Sequence, residues 1–531
     1  MTKVQRRHQR NASVRLCVGC VLAAIYSSSV QAQGSEDGLF GALKLGGYVR
    51  TWASFNLKDV PDTPKNDRGD LSMLRASALL DAETRAGPVD LKAILRVDRE
   101  YKTAYVRRVE KLTRFKTPGG PGSDVMDEYN QAEIRELYAD FDIGSRTRVR
   151  LGKQQVVWGE SDFFRAMDIV HGYDMRWRSF LEVENEELRK PLILANATIQ
   201  IPEADGSLQV IVRPGLDRGK DIGNSYDLYG GRWTMQSFLG ADFLSSGVTM
   251  DYDYRHSKGD IRDVTGGVRW KGRLGGLDYS AAYLRTFNPD PIVNSSFAPW
   301  GETPSNPFGD WIYPKIDLIG LTASGQVPGM DTVLSTEIVY IKDAPYNVGL
   351  STPGSKFLPA PLGSENTLPG FGGVVQKNTL MTMLRFDQPL DLKSTLGTSS
   401  DSFLSVQIFN KRILGFKNSD EIVDLAGYNA PKRRSTTVVT GILALNFAGN
   451  TINPTLAVGL DPDTRGGFVI PSVDVVLGDH WRLRAEADIF FSPKKRTPSV
   501  SSVNGYSEDK TYLFGGLANH DQFVIRLTRQ F

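Results

Sequence analysis

The chain has 531 residues, of which 40% are hydrophobic and 23% charged, with two cysteines and a formal net charge of +2. This length supplies ample core without disulfide or metal staples, and the near-neutral charge, with no basic tail or stripe, argues against a nucleic-acid partner. Beyond the first 30 residues no apolar run approaches the ~20 residues of a membrane helix, which excludes a polytopic helical membrane protein.

The amino terminus has the pattern of an export signal. Residues 1–32 carry five basic side chains and no acidic one, with an apolar run from Leu16 to Ile25 and a final Val30-Gln31-Ala32. This order of basic, apolar and small residues is typical of a secretory signal peptide. We predict cleavage after Ala32, so that residues 33–531 form the exported protein and neither cysteine remains in it.

Alternating apolar and polar residues recur through the body of the chain. In residues 72–85 and 89–98 nearly every second residue is small or apolar, and Ala86-Gly87-Pro88 separates the two runs. A period of two indicates β-strands. Runs of about 10–12 residues suit strands that cross a bilayer, whereas strands of soluble proteins average about 5–6. Similar runs lie near 43–57, 134–143, 147–157, 192–202, 207–214, 246–256, 263–272, 276–287, 314–325, 331–342, 402–412, 435–447, 467–477 and 481–491.

The links between these runs alternate between short and long, as they do between the periplasmic turns and outer loops of outer-membrane barrels. The alternation fails only between the runs near 207–214 and 246–256, so a further strand is expected within Asp227 to Gln236. We predict an all-β fold: a transmembrane antiparallel β-barrel in the outer membrane of a Gram-negative bacterium. It would have about 16–20 strands, about 20 with the extra one, long outer loops, and some helix in the loops or in a plug.

Two long links carry candidate pore residues. The link 101–132 begins with basic residues interleaved with aromatic ones, including Arg107, Arg108 and Lys111. These side chains suit an inward-folded constriction for anions, a contact with anionic lipopolysaccharide, or a solvated loop. The link 158–191 contains Arg176-Trp177-Arg178 and then an acidic run, and we expect it to include helix and to fold into the lumen.

Hairpin geometry should set opposite charges across from one another on the polar faces of neighbouring strands. The expected pairs are Arg85 with Asp90, Glu83 with Lys92, Asp142 with Arg148, and Asp140 with Arg150. Each pair contributes about 0.2–1 kcal/mol. The pairs are expected either to stiffen the wall of a wide barrel or, with Arg148 and Arg150 as candidates, to set an electric field for solutes.

The final residues form an apolar row that ends on Phe531, with Arg529 as an interruption. A last strand that ends on an aromatic residue resembles the carboxy-terminal signal by which the barrel-assembly machinery recognises outer-membrane proteins. We therefore expect that machinery, together with outer-membrane lipid and lipopolysaccharide, among the partners of the chain.

A further motif lies between two predicted strands. The sequence ELYADFDIG begins at Glu136, and RLGKQQVVWGESD ends at Asp162. The motif resembles a proteobacterial family of outer-membrane proteins named as a domain of unknown function. The resemblance implies an outer-membrane barrel that works with a periplasmic or lipid-binding partner and an inner-membrane exporter of the resistance–nodulation–division type. Such systems are linked to movement of hydrophobic compounds, including lipids and steroids.

The resemblance carries over no catalytic residue. Within the motif, Trp158, Glu160 and Asp162 are expected to anchor the loop, the Trp at the membrane interface and the acids towards loop bases, with ligand binding as the alternative.

The sequence is compatible with three functions. The first is a channel or transporter barrel for a hydrophobic or amphipathic small solute. The second is a plugged barrel that docks a periplasmic or export complex. The third, an outer-membrane hydrolase using His171 or His256, is the weakest because the sequence contains no G-x-S-x-G or H-E-x-x-H motif. We expect no enzymatic activity, no cofactor and no metal.

Overall fold

The computed structural model describes residues 41–59, 63, 65–112, 125–182, 184–227, 231–233, 250–349, 370–424, 430–493 and 512–531. The predicted signal peptide with its cleavage site at Ala32 lies outside these residues.

Eighteen strands form one antiparallel sheet in which each strand pairs with the wall strands before and after it in the sequence, and the last strand pairs with the first. The wall strands are β1 Lys44–Asn56, β2 Leu71–Ala86, β3 Val89–Glu100, β4 Gln131–Ile143, β5 Thr147–Gln154, β6 Leu192–Ile201, β7 Gly206–Arg213, β8 Thr265–Leu274, β9 Leu277–Phe287, β12 Lys315–Gln326, β13 Val333–Asn347, β14 Val374–Leu390, β15 Ser402–Ile413, β18 Ser435–Ala444, β19 Ile452–Asp461, β20 Gly466–Leu477, β21 Trp481–Phe491 and β22 Gln522–Gln530. The predicted barrel is therefore confirmed, and its strand number falls within the expected range.

The remaining elements lie in the links between wall strands. The short strands β10 Ile292–Ser295 and β11 Gly309–Ile312 form one hairpin, and β16 Val423–Asp424 and β17 Ala430–Pro431 form another. Described helices are Ala104–Leu112, Met126–Tyr129, Asn185–Leu188, Lys393–Leu396 and Tyr512–Leu517. In this described part of the chain, no helix is both long and apolar enough to cross a membrane.

Backbone hydrogen bonds close the barrel at the seam between the chain termini. Strand β1 pairs with β22 from Tyr48–Gln530 to Asn56–Gln522, and Phe531 exchanges two backbone hydrogen bonds of 3.1 Å with Gly47. A side chain at Gly47 would place its Cβ 2.1 Å from the carbonyl oxygen of Leu79. The glycine therefore lets three strands approach closely where the wall closes, and closure leaves no unpaired sheet edge.

The two faces of the wall differ in chemistry. The outer face exposes large apolar side chains on strands all around the barrel, among them Leu95, Leu151, Ile319, Ile408 and Ile525. The inner face carries polar and charged residues as well as the buried aromatic ones. This is the pattern of a wall between lipid and a polar lumen. The chain is an outer-membrane β-barrel of the Gram-negative type, and its buried core lies inside the barrel.

The register of two hairpins agrees with the predicted charge pairs. Glu83 lies opposite Lys92 and Arg85 opposite Asp90, and the Lys92–Glu83 ion pair measures 2.7 Å. In the second hairpin Asp140 lies opposite Arg150 and Asp142 opposite Arg148. The predicted registers are confirmed, because alternation within a tight hairpin fixes which residues face each other.

One part of the strand prediction is wrong. Strand β7 pairs directly with β8 over Gly206–Arg213 and Thr265–Gly272. The wall therefore has no place between them for the strands expected near 246–256 and within Asp227 to Gln236, of which 228–230, 234–236 and 246–249 lie outside the described residues. The alternation of short and long links needs no hidden strand, because leaving out both expected strands gives an even number, eighteen. Alternation in 250–256 belongs to a packed link, where Tyr252 and Tyr254 stack on Tyr313.

Candidate functional site

The link between β5 and β6, residues 155–191 without the undescribed 183, is called here the lumen segment. Its Trp158 donates a hydrogen bond from Nε1 to Gln209 of β7 at 3.0 Å. Its Arg178 forms an ion pair with Glu486 of β21. Strands β7 and β21 lie on opposite sides of the circular strand order, so the segment crosses the inside of the barrel.

The family-like motif is the entry to this segment. Gly152 has a φ of +129°, and a Cβ there would lie 2.2 Å from the carbonyl oxygen of Leu137, so the position requires glycine. The buried Gln154 donates to the carbonyl of Leu194 at 3.1 Å. Trp158 is 1% exposed and lies inside the barrel. Its predicted place at the membrane interface is wrong, because the chain turns inward after β5 and not outward.

Glu337 on β13 clamps the segment to the wall. Its two carboxylate oxygens accept hydrogen bonds from the backbone N–H groups of Glu160, at 2.5 Å, and Met167, at 2.8 Å. Gly159 makes room for this contact, because a Cβ there would lie 2.7 Å from the backbone nitrogen of Asp168. One buried carboxylate thus orders both ends of an eight-residue stretch.

We expect Glu337→Ala to release this stretch. Hydrogen bonds to a charged group contribute about 1.5–3 kcal/mol each, so amide hydrogen exchange at Glu160 and Met167 should accelerate roughly tenfold to a hundredfold. Exchange mass spectrometry on the folded barrel measures the effect. Ser335→Ala is the matched control, because Ser335 lies on the same inner face of β13 and bonds Ser324 instead. Equal exchange in wild type and Glu337→Ala would contradict the clamp.

Two acids of the motif also contact the wall. Asp162 hydrogen-bonds the side chain of Gln407 on β15 and lies 3.6 Å from Arg385 on β14. Arg385 also donates to the carbonyl oxygen of Glu160. The expectation that the acids would face loop bases is therefore wrong for Asp162, whose base is on a wall strand.

The far half of the segment packs on arginines and aromatic rings of the wall. Trp177 contacts Trp52 edge-on, with ring centroids 5.4 Å apart. The guanidinium of Arg75 lies 4.6 Å from the Trp177 ring, and that of Arg526 lies 4.8 Å from the Trp52 ring. Such cation–π contacts are strongest where water is excluded, and both tryptophans are buried.

The acidic run after these tryptophans neutralises wall cations. Glu187 accepts hydrogen bonds from Tyr48 at 2.7 Å and from Arg50 and Arg96 at 3.1 Å each. Glu182 lies 3.6 Å from Arg526. Because each buried charge has an opposite partner, the run holds the segment in place instead of remaining solvated.

His171 has a structural environment. Its Nε2 accepts the backbone N–H of Val156 at 2.8 Å, and its Nδ1 lies 3.0 Å from the carbonyl oxygen of Lys190, to which it donates. Burial lowers the pKa of His171 to about 4, with the charge of Arg189 acting in the same direction. Both ring nitrogens are occupied by backbone groups, which removes His171 as a general base for the hydrolase hypothesis.

The second candidate histidine lies apart from His171. His256 is buried, and its Nδ1 accepts the backbone N–H of Lys258 at 3.1 Å. Among the residues that the structure describes, no group of three or more His, Cys, Asp or Glu side chains is arranged to hold a metal ion.

A cavity of about 320 Å³ lies between the lumen segment and the loop-end half of the wall. It is bounded by the lumen segment, by Asn224, Tyr226, Asp227 and Trp233, by residues 288–292, and by inner-face residues of β13, β14 and β15. Its apolar lining includes Phe163, Phe164, Phe180, Trp233, Ile341, Ala344, Tyr346, Met381, Phe409 and Leu513. An apolar, aromatic cavity with a few polar groups has the composition of a small-molecule site.

The polar groups of the cavity differ in the hydrogen bonds and ion pairs that they form within the protein. Asp168 pairs with Arg189 at 2.6 Å and accepts from the hydroxyl of Tyr173 at 2.5 Å. Asp290 accepts from Tyr226 at 2.7 Å. Burial raises the pKa of Asp227 to about 7, with the charge of Glu128 adding to the effect. Each carboxylate therefore accepts at least one hydrogen bond from the protein, while Oδ1 of Asp168 and Oδ1 of Asp227 are buried without a partner among the described residues.

Two cations that line the same cavity have no carboxylate partner in the described chain. Arg165 stacks on the ring of Tyr173, 3.4 Å from its centroid, and donates to Asn185 at 2.7 Å, while its buried Nε has no partner. Lys411 lies 5.8 Å from the centroid of Tyr346 and makes no ion pair with a described residue.

The structure does not bring the sequence-predicted site residues together. Arg107 and Lys111 are exposed on helix Ala104–Leu112, while Arg108 on the same helix pairs with Asp67 and Asp70. Arg148 and Arg150 lie next to the short turn after β4, both paired with Asp140 at 2.7 Å. Glu160 is exposed at the wall clamp.

The cavity residues were missed by sequence reasoning. Arg165 lies in the lumen segment, but its spacing in the sequence does not indicate that it shares a cavity with Lys411 of β15. A basic residue among Phe163, Phe164 and Tyr173 was a signal that could have directed attention to this stretch.

The cavity and barrel can be compared with known proteins. Among solved structures, the chain is similar to OmpF of Salmonella typhi in complex with daunomycin, with 8% identity, a TM-score of 0.41, and coverage of 92% of this chain and 98% of that one. It is similar to OpdK of Pseudomonas aeruginosa with vanillate, with 8% identity, a TM-score of 0.44 and coverage of 92% and 98%. It is also similar to a BenF-like porin from Pseudomonas fluorescens, with 10% identity, a TM-score of 0.44, and coverage of 92% of this chain and 98% of that one.

A comparison with curated protein sequences finds no match. The sequence profile described as "Protein of unknown function (DUF1302)" matches residues 24–531, which is nearly the whole chain. The chain belongs to the DUF1302 family of proteins of unknown function.

Proposed function

We propose that this protein is an outer-membrane channel or transporter barrel for a hydrophobic or amphipathic small solute, and that the solute binds in the cavity beside the lumen segment. The observation that carries the proposal is the cavity itself. Its volume of about 320 Å³ falls within the usual range of ligand sites, about 300–1,000 Å³.

The position of the cavity supports a role in passage instead of a role in packing alone. Its walls are inner-face residues of the barrel and the segment that crosses the lumen, so a solute there lies inside the barrel. An apolar solute gains about 25 cal/mol for each Å² that it removes from water. Such a site favours solutes that cross a water-filled wide pore poorly.

Filling the cavity is the test of the binding step. We expect Ala344→Trp to weaken binding of the neutral probe 2-naphthamide at least roughly tenfold, because the indole would occupy the space that the naphthyl ring needs. Quenching of probe fluorescence by the purified barrel measures binding.

Ala281→Trp is the matched control, because Ala281 is exposed on the outer face of β9. Heat-modifiable migration on gel electrophoresis verifies that both variants form barrels. If 2-naphthamide does not bind the wild type, or binds both variants as it binds the wild type, the cavity is not the solute site.

A further inference from the structure

The chemistry of the cavity narrows the solute class, and this step rests on the function proposed above. We propose that the cavity selects an amphipathic anion, an apolar body with one carboxylate, whose carboxylate is held by Arg165 and Lys411.

The first support is the incomplete coordination of Arg165. Its guanidinium uses one nitrogen for Asn185 and lays its face on Tyr173, while Nη1 donates to no described residue and the buried Nε has no partner. A guanidinium presents its donors in a planar fork that fits a carboxylate. A buried donor without an acceptor carries an unrecovered desolvation free energy, and a ligand that supplies the acceptor recovers it.

The second support is the balance of charge around Arg165. The nearest acid, Asp168, is already bound to Arg189 and to the hydroxyl of Tyr173. Asp168 acts on the charge of Arg165 from nearby, but its ion pair is with Arg189 alone among the described residues. One positive charge remains for a ligand at this end of the cavity.

The third support is Lys411, which comes from a different element. It lies on the inner face of β15, two residues beyond the cavity-lining Phe409. Its ammonium approaches the ring of Tyr346 and no carboxylate of the described chain. Arg165 of the lumen segment and Lys411 of the wall thus line one largely apolar cavity. This arrangement fits a ligand with an anionic head group and an apolar body.

The acids that line the cavity form no ion pair with Arg165 or Lys411 among the described residues. Asp290 accepts hydrogen bonds from Tyr226 at 2.7 Å and Asn224 at 2.9 Å. Asp227 accepts from the hydroxyl of Tyr129 at 3.1 Å. Each of these acids accepts at least one hydrogen bond from the protein, although Oδ1 of Asp227 has none, whereas Arg165 and Lys411 form no ion pair within the described chain.

Three isosteric probes separate charge recognition from simple apolar binding: 2-naphthoate, neutral 2-naphthamide and cationic 2-naphthylmethylammonium. We expect the wild-type barrel to bind 2-naphthoate at least roughly tenfold more tightly than 2-naphthamide, and the cation most weakly. Arg165→Met and Lys411→Met should each reduce the ratio of naphthoate to naphthamide affinity. Arg165→Lys should retain part of it.

The affinity ratio is the decisive readout, because a purely structural role of Arg165 would weaken all three probes together. Arg148→Met, which removes a similar charge far from the cavity, should leave the ratio unchanged. Equal binding of 2-naphthoate and 2-naphthamide would overturn the anion preference but keep the cavity as a solute site. Failure of every probe to bind would overturn the proposed function as well.

Discussion

Replacing Arg178 by Met is expected to lower the free energy of unfolding by about 3–5 kcal/mol, the usual cost of removing one partner from a buried charge pair. Arg178 is 3% exposed and is surrounded by Glu486, Asp488 at 3.3 Å and Glu182 at 3.5 Å. Without it, three carboxylates lie close together in a buried site. Denaturant unfolding of the detergent-solubilised barrel, followed by tryptophan fluorescence, measures the change.

Arg148→Met is the control for this substitution, because its pair with Asp140 involves an arginine side chain that is 55% exposed. An exposed pair contributes about 0–1 kcal/mol, so the control should unfold nearly as the wild type does. Adding Asp488→Asn to Arg178→Met should recover part of the loss, since Asp488 has no other ion-pair partner among the described residues, whereas Glu486 also pairs with Arg484 at 2.8 Å. Equal unfolding of Arg178→Met and wild type would show that the segment is not held to β21 by this cluster.

Replacing Gly172 by Ala is expected to separate two links that meet inside the barrel. A Cβ at Gly172 would lie 1.9 Å from the carbonyl oxygen of Gly223, and this contact is between backbones, so no side chain can yield. Overpacking typically costs about 1–3 kcal/mol. Because Asn224 and His171 both line the cavity, the shift should also weaken probe binding.

Limited trypsin digestion detects the separation directly, because Arg176 and Arg178 become cleavage sites only when the lumen segment leaves its packed position. We expect faster cleavage there and weaker 2-naphthamide binding in Gly172→Ala. Gly276→Ala is the matched control, since a Cβ at Gly276 meets nothing within 4 Å. Unchanged cleavage and binding in Gly172→Ala would contradict the close crossing of the two links.

Local sequence patterns were sufficient for the wall of the barrel. A period of two with a charged inner face identifies wall strands because lipid and lumen impose opposite chemistry on the two sides of every strand. Tight turns then fix the register, as the opposition of Glu83 to Lys92 shows. The same pattern misled at 250–256, the described part of the run near 246–256, because alternation also occurs in a packed link where Tyr252 stacks on Tyr313.

The interior could not be derived in the same way. The sequence around Trp158 does not distinguish a tryptophan at the membrane interface from one that points into the lumen. Its hydrogen bond to Gln209 forms because the lumen segment passes β7, which is distant in the sequence. Arg165 and Lys411 share a cavity because the lumen segment passes β15, a contact between distant parts of the sequence. The basic residues that stood out by clustering, such as Arg107 and Lys111, remain outside this cavity.

Single-channel recording with the purified wild-type barrel in a planar bilayer tests the central claim most directly, namely that the cavity lies on the path of solute through the barrel. The account predicts discrete current steps that 2-naphthamide reduces in proportion to its occupancy of the cavity, and that Ala344→Trp already carries reduced current without the probe. A folded barrel that gives no current steps, or steps that stay unchanged when the cavity is saturated with 2-naphthamide, would contradict it.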